Sequence, residues 1–179
     1  MKRLFIAINL PDELKNKIEQ ITKKITDFRW IPSKNWHLTL VFLGYQADEA
    51  IIPILESIRE SAQNFPAPDI EFEKMILAPP DREPRMVWLN CTKQTSKILG
   101  EIKNKLENDL ITNRVTFKIE NRPFNSHLTL MRFSNDSPIL TYEIVDNLHF
   151  TSQSIDLMES HLKRSGAEYD ILTKVDFIK

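Results

Sequence analysis

The chain has 179 residues, 41% of them hydrophobic, and carries 24 lysines and arginines against 25 aspartates and glutamates. This length and composition fit one globular domain with a sizeable core and exclude a disordered chain. The near-neutral charge balance argues against non-specific binding of long nucleic acids through net charge. No apolar run approaches the roughly eighteen residues that a membrane span needs.

The first part of the chain predicts a strand, a helix and a second strand. Residues 1–10 are an apolar run too short for a signal peptide, without a cleavage site and followed at once by Pro11, so they predict a buried strand. Apolar residues at helical spacing then predict an amphipathic helix that ends near Phe28. A turn over residues 31–35 leads into a strand over residues 36–43.

The middle of the chain predicts two helices on either side of a pair of strands. In chain order, these are a helix over residues 48–63, strands over 70–77 and 86–91, and a helix over 95–110. Ile52 is expected among the inward-facing positions of the first of these helices. Pro53 is tolerated there only if it lies in the first turn.

The last third of the chain is rich in strand signals. It predicts strands over residues 115–119, 126–133, 148–159 and 168–178, with a loop or short helix over 137–142. Strands outnumber helices and the helices fall between strand groups, which predicts an α+β fold. No low-complexity linker divides the chain, so residues 1–179 are expected to form one domain. The single cysteine, Cys91, excludes an intrachain disulfide and favours a reducing, cytoplasmic location.

The tetrapeptide His-Leu-Thr-Leu occurs twice, at residues 37–40 and, 90 residues later, at 127–130. The two copies hold two of the four histidines in the chain. Because side chains alternate along a strand, the His and Thr of each copy face one side and the leucines face the other. The repeat suggests two α+β lobes, related by an approximate two-fold axis, that each contribute one motif strand to a shared cleft.

Two imidazoles and two hydroxyls in one cleft suit acid–base chemistry on an anion. Opening a strained cyclic phosphodiester needs a base for the attacking water and an acid for the leaving oxygen, and imidazole serves as either near neutral pH. Thr39 and Thr129 would donate hydrogen bonds to the phosphate oxygens. Arg132 lies five residues beyond His127, so it would bind phosphate only if a bulge brings it to the same face.

Each candidate also has a plain structural interpretation. A single His on a strand is usually structural, and Thr is common in strands, so the function rests on the repetition. Metal binding is a rival, but two histidines without a third ligand make a poor site. His149 and His161 are interpreted as structural or surface residues. Four aromatic residues flank the cleft and could stack a base, although core packing is the expected use of each: Trp36, Phe42, Trp88 and Phe124.

Sequence blocks beyond the two motifs point to a known family. These blocks are Arg3 to Ile8 followed by Leu10-Pro11, Trp30-Ile31-Pro32, Trp36 before the first motif with Phe42-Leu43-Gly44 after it, Arg122-Pro123-Phe124 before the second motif with Arg132 after it, and Ser160, Gly166, Tyr169, Leu172 and Phe177 in the tail. With these blocks the chain resembles the two-histidine phosphoesterases. Within them it is most similar to the RNA 2′,3′-cyclic phosphodiesterases, also called LigT-like proteins or 2′-5′ RNA ligases. Ser126, before the second motif, departs from the family pattern.

The resemblance implies a bilobal LigT-like fold with antiparallel sheets around a V-shaped cleft. It also implies hydrolysis of the 2′,3′-cyclic phosphate at RNA 3′ ends to a 2′-phosphate, with no metal and no cofactor. His37 would be the proton donor to the leaving 3′ oxygen, and His127 the proton acceptor for water. Family members can also join tRNA halves through a 2′-5′ linkage. We expect a monomer that acts on RNA ends and does not bind membranes.

Two other functions remain open at this point. The same acid–base chemistry could act on a small cyclic nucleotide rather than on RNA. The second alternative is not an enzyme but a module that only binds RNA ends or nucleotides. It has no need for both an acid and a base, so the two intact motifs argue against it.

Overall fold

The structure, a computed structural model, describes residues 1–25, 28–120, 123–133, 147–163 and 166–178. Its main elements are, in chain order, β1 (Lys2–Asn9), α1 (Asp12–Thr22), β2 (His37–Gln46), α2 (Ile51–Ala62), β3 (Asp69–Ala78), β4 (Met86–Cys91), α3 (Lys93–Thr112), β5 (His127–Arg132), β6 (His149–Thr151), β7 (Ser154–Lys163) and β8 (Gly166–Asp176). Short 3₁₀ turns at Ser33–Asn35 and Asp48–Ala50 precede β2 and α2. None of the helices in these ranges combines the length and the apolar character that crossing a membrane requires.

The strands form one eight-stranded sheet in the order β6-β3-β4-β5-β2-β1-β7-β8. All the strand pairs are antiparallel. The two motif strands, β2 and β5, lie at the centre, where a single residue pair, Leu38 and Leu128, records their register. The four strands on either side of this junction form the two lobes.

The two lobes repeat one local arrangement around the motif strands. In one lobe, β1 is followed by α1 and then β2, and Asn9 of β1 pairs with His37. In the other, β4 is followed by α3 and then β5, and Asn90 of β4 pairs with His127. These matching pairs support the approximate two-fold relationship that the repeated motif predicts.

Apolar side chains from the inner faces of both lobes and from the helices share one core. The motif leucines are central to it, since Leu38 and Leu128 are each 1% exposed. Burying such a side chain contributes about 1.5–3 kcal/mol. Ile54 and Ile58 of α2 are fully buried in the same core. The motif leucines therefore anchor the two strands to the core, and the histidines and threonines lie on the opposite face.

The helices differ from the predicted ones in detail. The helix that was expected to reach Phe28 ends at Thr22, while Ile25 and Phe28 still pack against the core from outside the helix. At these two positions the apolar spacing correctly indicated buried side chains but wrongly indicated a helix. In α2, Pro53 lies in the first turn as expected, but Ile52 is 67% exposed because the buried face is centred on Ile54.

Two predicted strands are wrong in the described part of the chain. Residues 115–119 form no strand, and both edges of β5 and β2 are already paired, which leaves this segment no central edge to join. The strand expected over 148–159 is split in two at Ser152. Its first part pairs with β3 and its second with β1, and these strands lie in different lobes. The loop or helix expected over 137–142 lies outside the described residues.

Candidate active site

The two motif strands present their polar residues to one cleft. His37 and Thr39 on β2, and His127 and Thr129 on β5, are half-buried, while the leucine after each of them is buried. The alternation that the sequence predicted is therefore confirmed in both strands. The leucines face the core, so the four polar side chains lie on the opposite, cleft side.

The register between β2 and β5 determines how the motif residues are arranged. Leu38 is paired with Leu128, so one step along each antiparallel strand sets His37 beside Thr129 and Thr39 beside His127. The two histidines are then diagonal neighbours, roughly 7–8 Å apart between such positions. This separation leaves room for one phosphate group between the two imidazoles.

Each imidazole is oriented by a backbone carbonyl two residues earlier in the chain. His37 Nδ1 lies 2.9 Å from the carbonyl oxygen of Asn35, and His127 Nδ1 lies 2.8 Å from that of Asn125. A carbonyl oxygen only accepts, so Nδ1 must carry the hydrogen in both rings. The other nitrogen, Nε2, is therefore the one that each ring can use to exchange a proton with a ligand.

A β-bulge brings Arg132 to the face that carries His127. Trp88 pairs with Thr129 and Val87 pairs with Met131, so Leu130 is an extra residue in β5. The extra residue reverses the alternation beyond it, because two residues of the bulged strand then oppose one on its neighbour. The bulge that Arg132 needs in order to reach the face of His127 is therefore present. The positive charge of Arg132 is also close enough to lower the pKa of His37.

The equivalent bulge in β2 places an aromatic residue where β5 has its arginine. Ala7 pairs with Thr39 and Ile6 pairs with Val41, which leaves Leu40 as the extra residue. Phe42, five residues beyond His37, consequently lies on the cleft face and is 55% exposed. The prediction that Phe42 packs in the core is wrong.

Aromatic rings of its own lobe surround His37. The ring centroids of Phe5 and Tyr169 lie 4.8 and 4.9 Å from that of the imidazole. The pKa of His37 is lowered to about 4, chiefly because the ring is buried; the hydrogen bond to Asn35 opposes this shift, and the nearby Arg132 and His127 add to it. At neutral pH the His37 ring is therefore uncharged in the ligand-free protein.

His127 lies against the indole of Trp88, with ring centroids 3.7 Å apart and an interplanar angle of 19°. Trp88 is buried, as expected, but it belongs to a small cluster with Ala78 and Met86 rather than to the main core. Trp36 is 1% exposed and packs in the core, as predicted. The stack on His127 was missed because the sequence does not show which strand pairs with β5.

Two further features of the site were missed at the sequence level. Asn9 and Asn90 each pair across the sheet with a motif histidine. Asn9 Nδ2 donates to Asp156 Oδ2 at 2.7 Å, whereas Asn90 Oδ1 is buried and has no hydrogen-bond partner in the described part of the chain. The sequence contains a signal only for the orienting carbonyls, because an asparagine, Asn35 or Asn125, precedes each motif histidine by two positions.

The remaining candidates lie apart from these side chains. His161 is 3.0 Å from Asp170 on the neighbouring strand, and His149 is exposed on β6, which fits their interpretation as structural or surface residues. Ser126 is 2% exposed and its hydroxyl lies 3.3 Å from Cys91 Sγ. In the ranges that the structure describes, no group of three or more His, Cys, Asp or Glu side chains is arranged to hold a metal ion.

Comparison with known proteins gives consistent results. The family model described as LigT like Phosphoesterase matches residues 8–88. The RNA 2′,3′-cyclic phosphodiesterase of Bacillus subtilis is 32% identical over 132 residues, which cover 72% of this chain and 69% of that protein. The protein of the same name from Escherichia coli is 31% identical over 145 residues, covering 76% of this chain and 74% of its own length.

Solved structures extend the likeness to nearly the whole chain. TT0787 of Thermus thermophilus superposes with a TM-score of 0.81 at 24% identity, and the match covers 98% of this chain and 97% of that one. A crystal structure described only as a phosphoesterase gives a TM-score of 0.77 at 25% identity and covers 99% of both chains. These matches confirm the predicted bilobal LigT-like fold. Together with the sequence relatives, they establish that this chain belongs to the LigT-like family of two-histidine phosphoesterases.

Proposed function

We propose that the protein hydrolyses the 2′,3′-cyclic phosphate at RNA 3′ ends and leaves a 2′-phosphate. The observation that carries the proposal is the pair of histidines on adjacent strands, each oriented by a hydrogen bond from Nδ1 to a backbone carbonyl. The curated relatives from Bacillus subtilis and Escherichia coli bear the name RNA 2′,3′-cyclic phosphodiesterase, which supports this substrate class.

The chemistry needs one proton acceptor and one proton donor on opposite sides of phosphorus. In the proposed step, His127 Nε2 takes a proton from water as the water oxygen bonds to phosphorus. The bond between phosphorus and O3′ breaks, and His37 Nε2 gives a proton to O3′. The product carries a 2′-phosphate and a free 3′-hydroxyl, and each group of this kind typically contributes a factor of about 10²–10⁴ to the rate.

The environment of His37 requires the substrate to assist its protonation. The pKa of His37 is lowered to about 4, mainly by burial, so Nε2 of this ring carries no proton in the ligand-free protein at neutral pH. A bound phosphodiester places a negative charge beside the ring and offsets the positive charge of Arg132. Both effects favour the imidazolium form, so His37 becomes a donor when the substrate is in place.

Three side chains are proposed to hold the phosphate. Thr39 and Thr129 lie on the cleft face beside the histidines, where their hydroxyls would donate to the non-bridging oxygens. Arg132 would stabilise the charge that develops on the same oxygens. Its only partner among the described residues is the sulfur of Met86, 3.1 Å from Nη1, which is a weak acceptor that a phosphate would displace.

The nucleoside is proposed to lie on the His37 side of the phosphate. O3′ belongs to the ribose, so the residue that protonates O3′ must be next to the sugar. Phe42 supports this orientation, because it is 55% exposed on the cleft face of the same strand and would offer a face on which a base can stack.

Several organisational features stay predictions. We propose that the chain works as one domain and as a monomer, without metal or cofactor, and that the free thiol of buried Cys91 suits a reducing cytoplasm. Ligation of tRNA halves through a 2′-5′ bond is the same ring opening at the same phosphate, with an RNA hydroxyl in place of water. It would need a 2′,3′-cyclic end and a second RNA whose 5′-hydroxyl replaces water.

The test is to incubate the purified protein, in EDTA, with a short RNA that ends in a 2′,3′-cyclic phosphate, and to identify the terminal phosphate. A 2′-phosphate, lost in both His37→Ala and His127→Ala, is the expected result. His149→Ala, which removes an exposed histidine from β6, is the matched control and should keep the activity.

Two other outcomes would change the proposal. A 3′-phosphate product would reverse the assignment of the leaving oxygen, and with it the side on which the acid acts. Faster turnover of a mononucleoside 2′,3′-cyclic phosphate than of the RNA would favour a small cyclic nucleotide as the substrate. Binding of RNA ends without any hydrolysis would favour the non-catalytic module.

A further inference from the structure

A groove of about 380 Å³ is lined in part by Asn9 and Tyr169, two neighbours of His37. It lies between the start of α1, the turn that precedes β2, and strands β7 and β8. Three of these elements contribute one lysine each: α1 contributes Lys15, the turn Lys34 and β8 Lys174. We call the space lined by these three residues the lysine groove. Its volume is within the range of roughly 300–1,000 Å³ that ligand sites occupy.

The lysine groove is continuous with the candidate active site. Asn9, which lines the groove, is the cross-strand partner of His37. Tyr169 also lines it, and its ring is in edge contact with the His37 imidazole at 4.9 Å. Met158 lines the groove as well and packs in one cluster with Phe5, which contacts His37. A chain attached to a ribose at His37 would enter the groove directly.

The three lysines are only loosely paired with acidic groups. Lys15 Nζ lies 3.6 Å from Asp12 Oδ1, and Lys34 Nζ lies 4.0 Å from Glu168 Oε1, both beyond hydrogen-bonding distance. Lys174 is exposed, and its cross-strand neighbour is the buried Asp156. Asp12 is the one acidic residue in the lining, so positive side chains are in excess.

One more carboxylate, that of Asp156, lies close to this region. It is 1% exposed and pairs across the strands with Lys174. Its two oxygens accept hydrogen bonds from Asn9 Nδ2 at 2.7 Å and from Ser154 Oγ at 2.6 Å. These donors are uncharged, so Asp156 keeps its negative charge. Because Asp156 is buried, only one carboxylate, that of Asp12, lines the groove against the three lysines.

We propose that the lysine groove binds the phosphates of the RNA nucleotides that precede the cyclic end. The inference rests on the proposed function, in which the ribose lies on the His37 side of the reacting phosphate. Sites for single-stranded nucleic acid combine a basic groove with aromatic side chains. Tyr169 provides the aromatic ring here, and Met158 and Ile171 add apolar surface for a ribose or a base. The groove would make an oligonucleotide a better substrate than a mononucleotide.

The experiment compares two substrates in three proteins. The substrates are a tetranucleotide that ends in a 2′,3′-cyclic phosphate and the matching mononucleoside 2′,3′-cyclic phosphate. The proteins are the wild type, a triple lysine-to-glutamine variant of the lysine groove, and a control with the same charge change at the exposed Lys17, Lys23 and Lys93. The measured quantity is the ratio of kcat/KM for the tetranucleotide to that for the mononucleotide, as a function of salt concentration.

The groove variant should lower this ratio about tenfold at low salt. Each phosphate contact on a single strand contributes about 0.7 to the slope of log affinity against log salt concentration, so loss of three contacts should reduce the slope of the ratio by about 2. The control should keep both the ratio and the slope. Equal ratios in the wild type and the groove variant, or the same loss in both triple variants, would overturn the proposal. Thermal unfolding of each variant checks that the fold is intact.

Failure of the proposed function would be seen separately. If the wild type hydrolyses neither substrate, binding of a fluorescent tetranucleotide with a 2′-phosphate end is measured by anisotropy instead. About tenfold weaker binding by the groove variant than by the control would then support the lysine groove as an RNA site. Equal binding by the two variants would overturn it.

Discussion

The indole of Trp88 is stacked on the imidazole of His127, with the two ring centroids 3.7 Å apart. Trp88 is 9% exposed, and its Nε1 has no hydrogen-bond partner among the residues described, so its contribution to the site comes from its face. Aromatic pairs of this kind contribute about 0.5–1.5 kcal/mol beyond the area they bury. The stack covers one face of the His127 ring and thereby restricts its orientation.

Trp88→Leu should therefore lower kcat/KM for the cyclic phosphate by about three- to tenfold, since about 1.4 kcal/mol corresponds to a factor of ten in rate. Trp88→Phe keeps an aromatic face and should retain most of the activity. Steady-state kinetics on a mononucleoside cyclic phosphate measure both. Equal losses in the two variants would mean that the volume of the side chain, rather than its stacking on His127, is what matters.

The titration of His37 offers a second prediction. NMR of the imidazole Cε1 proton should give a midpoint of about 4 in the ligand-free protein, because burial lowers the pKa. Arg132→Gln removes a positive neighbour and should raise the midpoint slightly, but burial is the leading cause and should keep it well below the usual value near 6.5. A saturating nucleoside 2′-phosphate should raise it further. A ligand-free midpoint near 6.5 would contradict the buried environment of the ring.

Arg132 should be required for its shape as well as for its charge. Removal of one group that stabilises charge in the transition state typically costs a factor of about 10²–10³ in kcat, which is the loss expected for Arg132→Met. Arg132→Lys keeps the charge but not the planar fork, so it should recover only part of the activity. Arg59→Met, at an exposed position of α2, is the matched control. Full activity in Arg132→Lys would reduce its role to a point charge.

Much of the site could be predicted because it follows from local rules. Alternation along a strand is enough to direct His37 and His127 to one face and their neighbouring leucines to the other. The repetition of the motif was enough to predict two related lobes. The paired asparagines before the histidines and the carbonyls that fix the tautomer belong to the same repeat.

What the sequence left undecided depends on which strands are neighbours. The bulge that turns Arg132 toward the cleft exists only because β4 and β5 pair with one residue unmatched. The β-branched segment 115–119 has strand propensity, but no central edge of the sheet is open to it. Phe42 and Trp88 are residue types that are common in protein cores, so their identity does not reveal a role in the site. Their positions beside the histidines follow from strand pairing, which a single sequence does not encode locally.

The dependence of stability on pH provides the last prediction. The unfolded chain binds a proton at His37 near pH 6.5, whereas the folded protein does so only near pH 4. Between these values the unfolded state binds more protons at His37, so the contribution of His37 to the free energy of unfolding falls as the pH is lowered through this window and does not change further below it. With each pKa unit worth about 1.4 kcal/mol, and with a discount for partial solvent screening, the loss should be about 1–3 kcal/mol.

His37→Gln removes the titrating ring. The free energy of unfolding of this variant should therefore fall less than that of the wild type between pH 6.5 and pH 4. Urea denaturation at a series of pH values measures the difference, and His149→Gln, at an exposed histidine, should follow the wild type. Parallel stability curves for His37→Gln and the wild type would mean that the folded and unfolded states protonate His37 alike. The same result would remove the reason to expect that substrate must assist the protonation of His37.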